Sequence, residues 1–307
     1  MALPAGARLS ARVAAVVLGW NGRDDTLACL RSLRAATYPT LSVVVVDNGS
    51  TDGGPAAVAE EFPDATLIQL DENRGFAGGV NVGVEAALAG GADLVMLLNN
   101  DAVADAGFLE PLVEAAEGRV GAACSQILEG DGSRIWYAGA AYDPRRGHQG
   151  RHTGYGSPPI PADAAPYETD RACGGAMLVP RSVFERVGLL DETLFAYAED
   201  VDWSLRTHAA GLRILVVPAS VVRHRVSAST GGASSPDSLY YAVRNGLVVA
   251  ERAAPLGRLG TVRRRAEAAA AFAVQALRSP SRRRGLRAVV EGLRDAARTR
   301  LGPRDVR

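Results

Sequence analysis

The sequence predicts an α/β protein with a mostly parallel central sheet flanked by helices and a helical extension at its C-terminal end. Three observations carry that expectation. Between Arg12 and Asp101 short apolar runs alternate with stretches of helical periodicity, polar residues stand where each apolar run ends, and beyond residue 235 the chain turns Arg- and Ala-rich at helical spacing. Strands joined through single helices form right-handed crossovers, and the resulting parallel sheet is covered on both faces.

Each element follows from its own residues. "VAAVVLGW" is a strand, "DDTLACLRSLRAAT" is helical, "LSVVVVDNGS" is a strand and "GGPAAVAEEF" a short helix. "ATLIQLDEN" is the third strand, "GGVNVGVEAALAGG" a helix, and "DLVMLLNND" the fourth strand. Residues 130–170, rich in Gly, Pro, Arg and Tyr, predict irregular hairpins or a mobile loop over a site. "RACGGAMLVPRSVFERVG" then gives a strand and a helix starting near Pro180, "AYAEDVDWSLRTHAAG" a helix, and "RILVVPASVVRHR" a strand. After a Ser/Gly-rich link, "SSPDSLYYAVRNGLVVAER" begins a helix that Asp237 is expected to cap, and the remaining helix breaks near Pro280.

Composition excludes several classes. All 34 basic side chains are arginine, which removes mechanisms that need lysine, such as a Walker phosphate loop or a Schiff base. Formal net charge is zero, so no global field draws the chain to nucleic acid, although arginines crowd its last part. Cys29, Cys124 and Cys173 are odd in number and widely spaced, which reads as reduced thiols of a cytoplasmic protein. "RLSARVAAVVLGW" has too short an apolar part and no small-residue cleavage site for a signal peptide, and no run reaches transmembrane length.

The polar residues at the strand ends form the candidate site. Trp20 and Asn21 end the first strand, Asp47 and Asn48 the second, Asn73 to Phe76 follow the third, and Asn99, Asn100 and Asp101 end the fourth. Any one of these could be turn chemistry, but four in succession at the carboxyl edge of a parallel sheet mark where ligands collect. Asp47 can accept from an imide N–H or a ribose hydroxyl, and the glycine-rich "NRGFAGGVNVG" can bring backbone N–H groups to a nucleotide. That turn follows the third strand and lacks Gly-x-Gly-x-x-Gly spacing, so a dinucleotide-binding reading fails.

Taken in order, "VVLGWNGRDDTLACLRSL", "VVVVDNGSTDGG", "NRGFAGGVNVG", "LLNNDAV", "CGGAMLVPRSVFERVGLLDETLFAYAEDVDWSLR" and "HRVSASTGG" resemble glycosyltransferase family 2, in its bacterial rhamnosyltransferase-like branch. The resemblance implies a GT-A fold and inverting sugar transfer from a nucleoside diphosphate. It implies a nucleotide and donor pocket of Trp20, Asn21, Asp47, Asn48, Asn73, Gly75, Phe76, Asn99, Asn100, Gly174 and Gly175. Asn99-Asn100-Asp101 stands at the family's Asp-x-Asp position, which holds Mn2+ or Mg2+, with Asp101 as the one carboxylate. The family's second metal contact falls on His224, whose imidazole suits Mn2+.

By the same resemblance Asp200 is the base that takes the acceptor proton, and Glu199 orients base or acceptor. Trp203, Tyr241, Arg244 and Asn245 are the expected acceptor contacts. The implied domains are 1–235, with a nucleotide half 12–101 and a catalytic half 102–235, and an Arg-rich helical extension 236–307. The expected donor is dTDP-L-rhamnose and the expected acceptor a glycoside or a polyprenyl-diphosphate sugar. A UDP-hexose or UDP-N-acetylhexosamine transferase and a non-catalytic nucleotide-sugar-binding protein are the alternatives. The C-terminal helices are expected either to touch the inner face of a membrane or to form a solvated or dimerising tail.

Overall fold

The computed structural model describes residues 11–146, 152–224 and 235–305. The Ser/Gly-rich link and most of "HRVSASTGG", at 225–234, lie outside the described residues.

The first half alternates as its sequence requires: β1 (Val13–Gly19), α1 (Arg23–Arg34), β2 (Leu41–Asp47), α2 (Gly54–Glu61), β3 (Thr66–Gln69), α3 (Gly75–Ala89) and β4 (Leu94–Asn99). Their strands run parallel in the order β3-β2-β1-β4. Gly19 lies opposite Asp47 and Leu18 opposite Asn99, so β1, β2 and β4 finish level with one another. β1 and β4 are buried almost throughout, which explains their unbroken Val/Leu runs. α3 closes down on β1 through small residues; a Cβ at Gly83 would stand 2.3 Å from Val16 Cγ1.

After β4 the chain continues as β5 (Ala102–Ala104), α4 (Leu109–Ala115), β6 (Val120–Glu129), β7 (Ile135–Tyr137), β8 (Tyr167–Glu168), β9 (Ala176–Pro180), α5 (Arg181–Val187), α6 (Glu199–Ala209) and β10 (Arg213–His224). These strands extend the same ten-stranded sheet, with β9 antiparallel to both β4 and β6, and β10 parallel to β6. The elements β5, α4 and β6 had no counterpart in the sequence reading. Among the described residues of 130–170, β7 pairs with β6 and β8 with β10, and the Tyr137 hydroxyl donates to the Arg171 carbonyl at 2.6 Å.

The extension comprises α7 (Pro236–Ala253), α8 (Arg258–Arg278) and α9 (Arg282–Ala297). Ser235, not Asp237, caps α7, its hydroxyl accepting from the Ser238 N–H at 3.1 Å; Asp237 sits inside the first turn. The three helices share an apolar core that includes Leu239, Val243, Leu247, Ala268, Phe272 and Val289. A second cluster joins Val249 of α7 to Leu194, Ala198 and Val201, so the extension is fastened beside the start of α6.

Candidate active site

Two interlocked turns stand at the ends of β1 and β2. Asn21 has φ 45°, and its backbone N–H donates to Ser50 Oγ at 2.9 Å while its Oδ1 accepts from the Thr51 N–H at 3.0 Å. Asp52 Oδ2 accepts the N–H groups of Gly22 and Arg23 at 2.7 and 2.8 Å, closing the free end of α1 from the neighbouring loop. Burial alone would raise the Asp52 carboxyl, but these N–H groups and that of Gly54 hold it below its ordinary value. Trp20, Asn21, Asp47 and Ser50 line the cleft between the turns. Trp20 is 40 % exposed, an open aromatic face at the rim.

Asn48 belongs to the framework. It is 2 % exposed; its Nδ2 donates to Asn73 Oδ1 and the Gly75 carbonyl, and its Oδ1 accepts from the Arg74 N–H. Both of its N–H groups and its Oδ1 are engaged in shaping the β3–α3 turn and the side chain is buried, so the direct nucleotide contact expected of it is corrected. Asn100 is likewise turned inward, donating to Thr26 Oγ1 at 3.0 Å. Asn73, through Oδ1, accepts from the Gly75 N–H at 2.7 Å.

Gly75 is the hinge of this turn, at φ +75°, where any Cβ would meet the Phe195 carbonyl at 2.3 Å. That carbonyl accepts from the Phe76 N–H at 2.6 Å, so the turn after β3 touches the loop before α6 directly. Gly174 lies under the Phe76 ring and Gly175 beside the Asn99 amide; added Cβ atoms there would stand 3.1 and 3.3 Å away. Four sequence segments far apart in the chain, at Gly75–Phe76, Asn99, Gly174–Gly175 and Phe195, thus meet at one place.

The last strand completes the metal-position segment. His224 lies opposite Ala102 in the antiparallel β10–β5 pair, which brings its Nε2 to 2.7 Å from Asp101 Oδ1 and 3.3 Å from Asn99 Nδ2. Both side chains are under 10 % exposed. A carboxylate oxygen and an imidazole nitrogen converging in this way form a mixed donor pair that fits Mn2+, or Mg2+ with further oxygen ligands. Among the described residues no cluster of three or more such side chains exists, so a cation here would take its other ligands from phosphate or water.

Trp136 was missed by sequence reasoning because its segment has no periodicity. Its ring packs edgewise on His224, centroids 4.8 Å apart, and on His152 at 4.9 Å. His152 Nδ1 is 2.7 Å from the Trp136 carbonyl, which only an N–H can satisfy, and burial lowers the imidazole pKa below its ordinary value.

Glu199 and Asp200 open α6. Glu199 is 7 % exposed, and burial, with the adjacent Asp200 charge, pushes its carboxyl up to about 8. Asp200 is half-buried, with Oδ1 accepting from the Val201 N–H at 2.8 Å. Immediately before them Phe195, Tyr197 and Ala198 all have positive φ, 66°, 68° and 69°. Non-glycine residues rarely adopt that conformation, and each costs about 1–3 kcal/mol unless its surroundings enforce it.

The enforcing group comes from α7. The Asn245 amide nitrogen lies 2.8 Å from the Leu194 carbonyl, 2.7 Å from that of Ala196 and 2.8 Å from that of Tyr197, sharing its two hydrogens among them. Arg244 donates to the carbonyls of Leu194 and Gly302, and its Nε reaches Asn245 Oδ1 at 2.7 Å. Both residues are fully buried. Trp203 is also fully buried, its indole N–H donating to the Gly188 carbonyl. Tyr241 is 7 % exposed, stacks on Phe195 and accepts from the Arg304 N–H. The acceptor contacts expected of Trp203, Tyr241, Arg244 and Asn245 are therefore corrected: these are interior groups, and Asn245 and Arg244 hold the loop that presents the acidic pair.

Residues 15–188 match the family model for Glycosyl transferase family 2, more than half of the chain. The chain belongs to glycosyltransferase family 2. Within this glycosyltransferase family it is 34 % identical over 224 residues to N-acetylglucosaminyl-diphospho-decaprenol L-rhamnosyltransferase of Mycobacterium tuberculosis, covering 66 % of this chain and 72 % of that one. It is 23 % identical to dTDP-rhamnosyl transferase RfbF of Shigella flexneri, over 78 % of this chain and 80 % of the relative. Among solved structures, the mannosyltransferase PcManGT of Pyrobaculum calidifontis, in complex with GDP-Man and Mn2+, superposes with a TM-score of 0.56 at 21 % identity. That likeness covers 94 % of this chain and 75 % of the other, and agrees with the GT-A fold. The protein is a rhamnosyltransferase-like glycosyltransferase of GT-A fold.

Proposed function

We propose that this glycosyltransferase transfers L-rhamnose from dTDP-L-rhamnose, with inversion, to a polyprenyl-diphosphate-linked sugar. The observation that carries the reading is that the β1, β2 and β4 ends finish level, with Asp101 paired to His224 just after β4, while the loop leading to Glu199–Asp200 is bonded to the β3–α3 turn through the Phe195 carbonyl. The donor and acceptor classes are those in the names of the two rhamnosyltransferase relatives.

In this reading Asp47, Trp20 and Asn21 seat the nucleotide, and Asn48 and Asn73 keep the β3–α3 turn open beside it. Asp101 and His224 hold a divalent cation, Mn2+ or Mg2+. A cation held by these two residues would supply Lewis-acid stabilisation of the charge on the leaving diphosphate. Asp200 accepts the proton of the attacking hydroxyl. Glu199, holding its own proton near neutral pH, keeps a second negative charge out of the same pocket. Gly174 and Gly175 keep the donor side narrow, and Trp136 offers an aromatic wall toward the acceptor. The units 12–101, 102–235 and 236–307 act as nucleotide half, catalytic half and support.

The test is product release from a panel of dTDP-, UDP- and GDP-sugars, with Mn2+, Mg2+ and chelator, on a lipid-linked N-acetylhexosamine acceptor. Turnover with dTDP-L-rhamnose, lost in Asp200→Asn while calorimetric donor affinity persists, is the expected result. Preferred turnover of a UDP-sugar would transfer the reading to a hexosyl or N-acetylhexosaminyl donor. Nucleotide-sugar binding without turnover of any donor would leave a binding protein.

A further inference from the structure

The outward side of α8 is unusual for a surface helix. Its inward stripe, Arg264, Ala268, Phe272 and Ala276, is buried against the other two C-terminal helices and the 143–146 turn, where Arg264 donates to the Arg145 and Ala254 carbonyls. At 3.6 residues per turn the opposite stripe falls on Leu259, Val262, Ala266, Ala270 and Leu277, with Val274 beside it. Leu259 is 88 % exposed, Val262 66 %, Leu277 51 % and Val274 50 %. Water-facing apolar residues repeated along a whole helix mark a surface meant to be covered.

The charges beside this stripe indicate the cover. From Arg258 to Arg300 the chain has twelve arginines and three carboxylates. Arg258 and Arg263 lie toward one end of α8, and Arg278, with Arg282, Arg283 and Arg284 at the start of α9, lies at the other, all exposed. Among these six, only Arg263 has a carboxylate partner among the described residues, Glu267. Packing α8 against α8 of a second copy, in either direction, would set arginine clusters against each other, so self-association is opposed. No helix among the described residues is long and apolar enough to cross a membrane, which leaves α8 lying flat, about 31 Å of contact along its axis.

We infer that the outward face of α8 seats on an anionic bilayer surface, with Leu259, Val262, Val274 and Leu277 at the acyl boundary and the flanking arginines on lipid phosphates. This surface is independent of which nucleotide sugar the site accepts. Its position on the domain that fastens the loop before α6 ties the catalytic edge rigidly to the membrane contact.

The full chain is sedimented with vesicles of phosphatidylglycerol and phosphatidylcholine, and with phosphatidylcholine alone. Binding is expected to the anionic vesicles, about tenfold or more weaker on the neutral ones and in high salt. Leu259→Glu/Leu277→Glu and Arg282→Gln/Arg283→Gln/Arg284→Gln should each weaken anionic binding by at least about tenfold. These residues are exposed, and unchanged thermal melts show that the variants stay folded. Absence of binding to anionic vesicles, or equal binding by all variants, overturns the proposal. So does a dimer in light scattering that Leu259→Glu/Leu277→Glu dissociates while vesicle binding persists. Donor turnover plays no part in this readout, so its outcome stands whichever way the rhamnosyl reading falls.

Discussion

The two sides of the site are built differently. On the proposed nucleotide side, Asn21, Asp52, Asn48 and Asn73 bond to backbone in the turns after β1, β2 and β3, with a distant contact from the Phe195 carbonyl on the β3–α3 turn. On the proposed catalytic side, the acidic pair stands after three residues of positive φ whose carbonyl-bearing loop is held by Asn245, about fifty positions along the chain. The first arrangement is held chiefly by bonds among its own turns. The second depends on a separate helical unit being in place, so donor binding and chemistry should be separable by mutation.

The largest effect separating them is expected at Asp101. Asp101→Ala should reduce metal-dependent turnover by about a thousandfold, whereas Asn99→Asp, which adds a carboxylate beside His224, should retain it. Stopped product assays across a Mn2+ titration check both. Next comes Asn245→Ala: unfastening the loop should lower kcat about a hundredfold while donor affinity, by calorimetry, stays within about twofold. A parallel loss of donor affinity would show that the two sides are one unit. Asn48→Ala should do the opposite, weakening donor binding and costing about 2–3 kcal/mol of stability in denaturant melts, because buried backbone and Asn73 lose their partner.

The smallest effect is a pH slope. Glu199 is raised in the folded chain, from an ordinary value of 4.5 to about 8, so the folded state binds the extra proton between those values. Its contribution to stability is full below pH about 4.5 and is lost as pH rises toward about 8. Glu199→Gln should remove that part of the decline, read as a flatter stability curve between pH 5 and 8 in urea melts.

The same contrast explains what the sequence made legible. The parallel half could be read because Asp-Asn-Gly-Ser after "VVVV" and Asn-Asn-Asp after "LVMLL" are local turn signals at strand ends. The meeting of His224 with Asp101 came only from family resemblance, since the pairing that creates it joins β10 to β5 across more than a hundred residues. The β5, α4 and β6 stretch was overlooked, and Trp136 lay in a segment without period. Trp203, Arg244 and Asn245 were misjudged for another reason. A helical repeat gives the side of a helix but not what covers it, and α6 and α7 turn these residues inward.

Asn245 binds carbonyl groups and none of the loop's side chains. A fastening of that kind is indifferent to which residues the loop displays, as long as the backbone at 195–198 keeps its path. Under the proposed function, the side chains this loop displays can therefore change by substitution while Asp200 stays where it is. On that reading, what the loop displays and where Asp200 stands are written in different parts of this chain, and design can revise one without erasing the other.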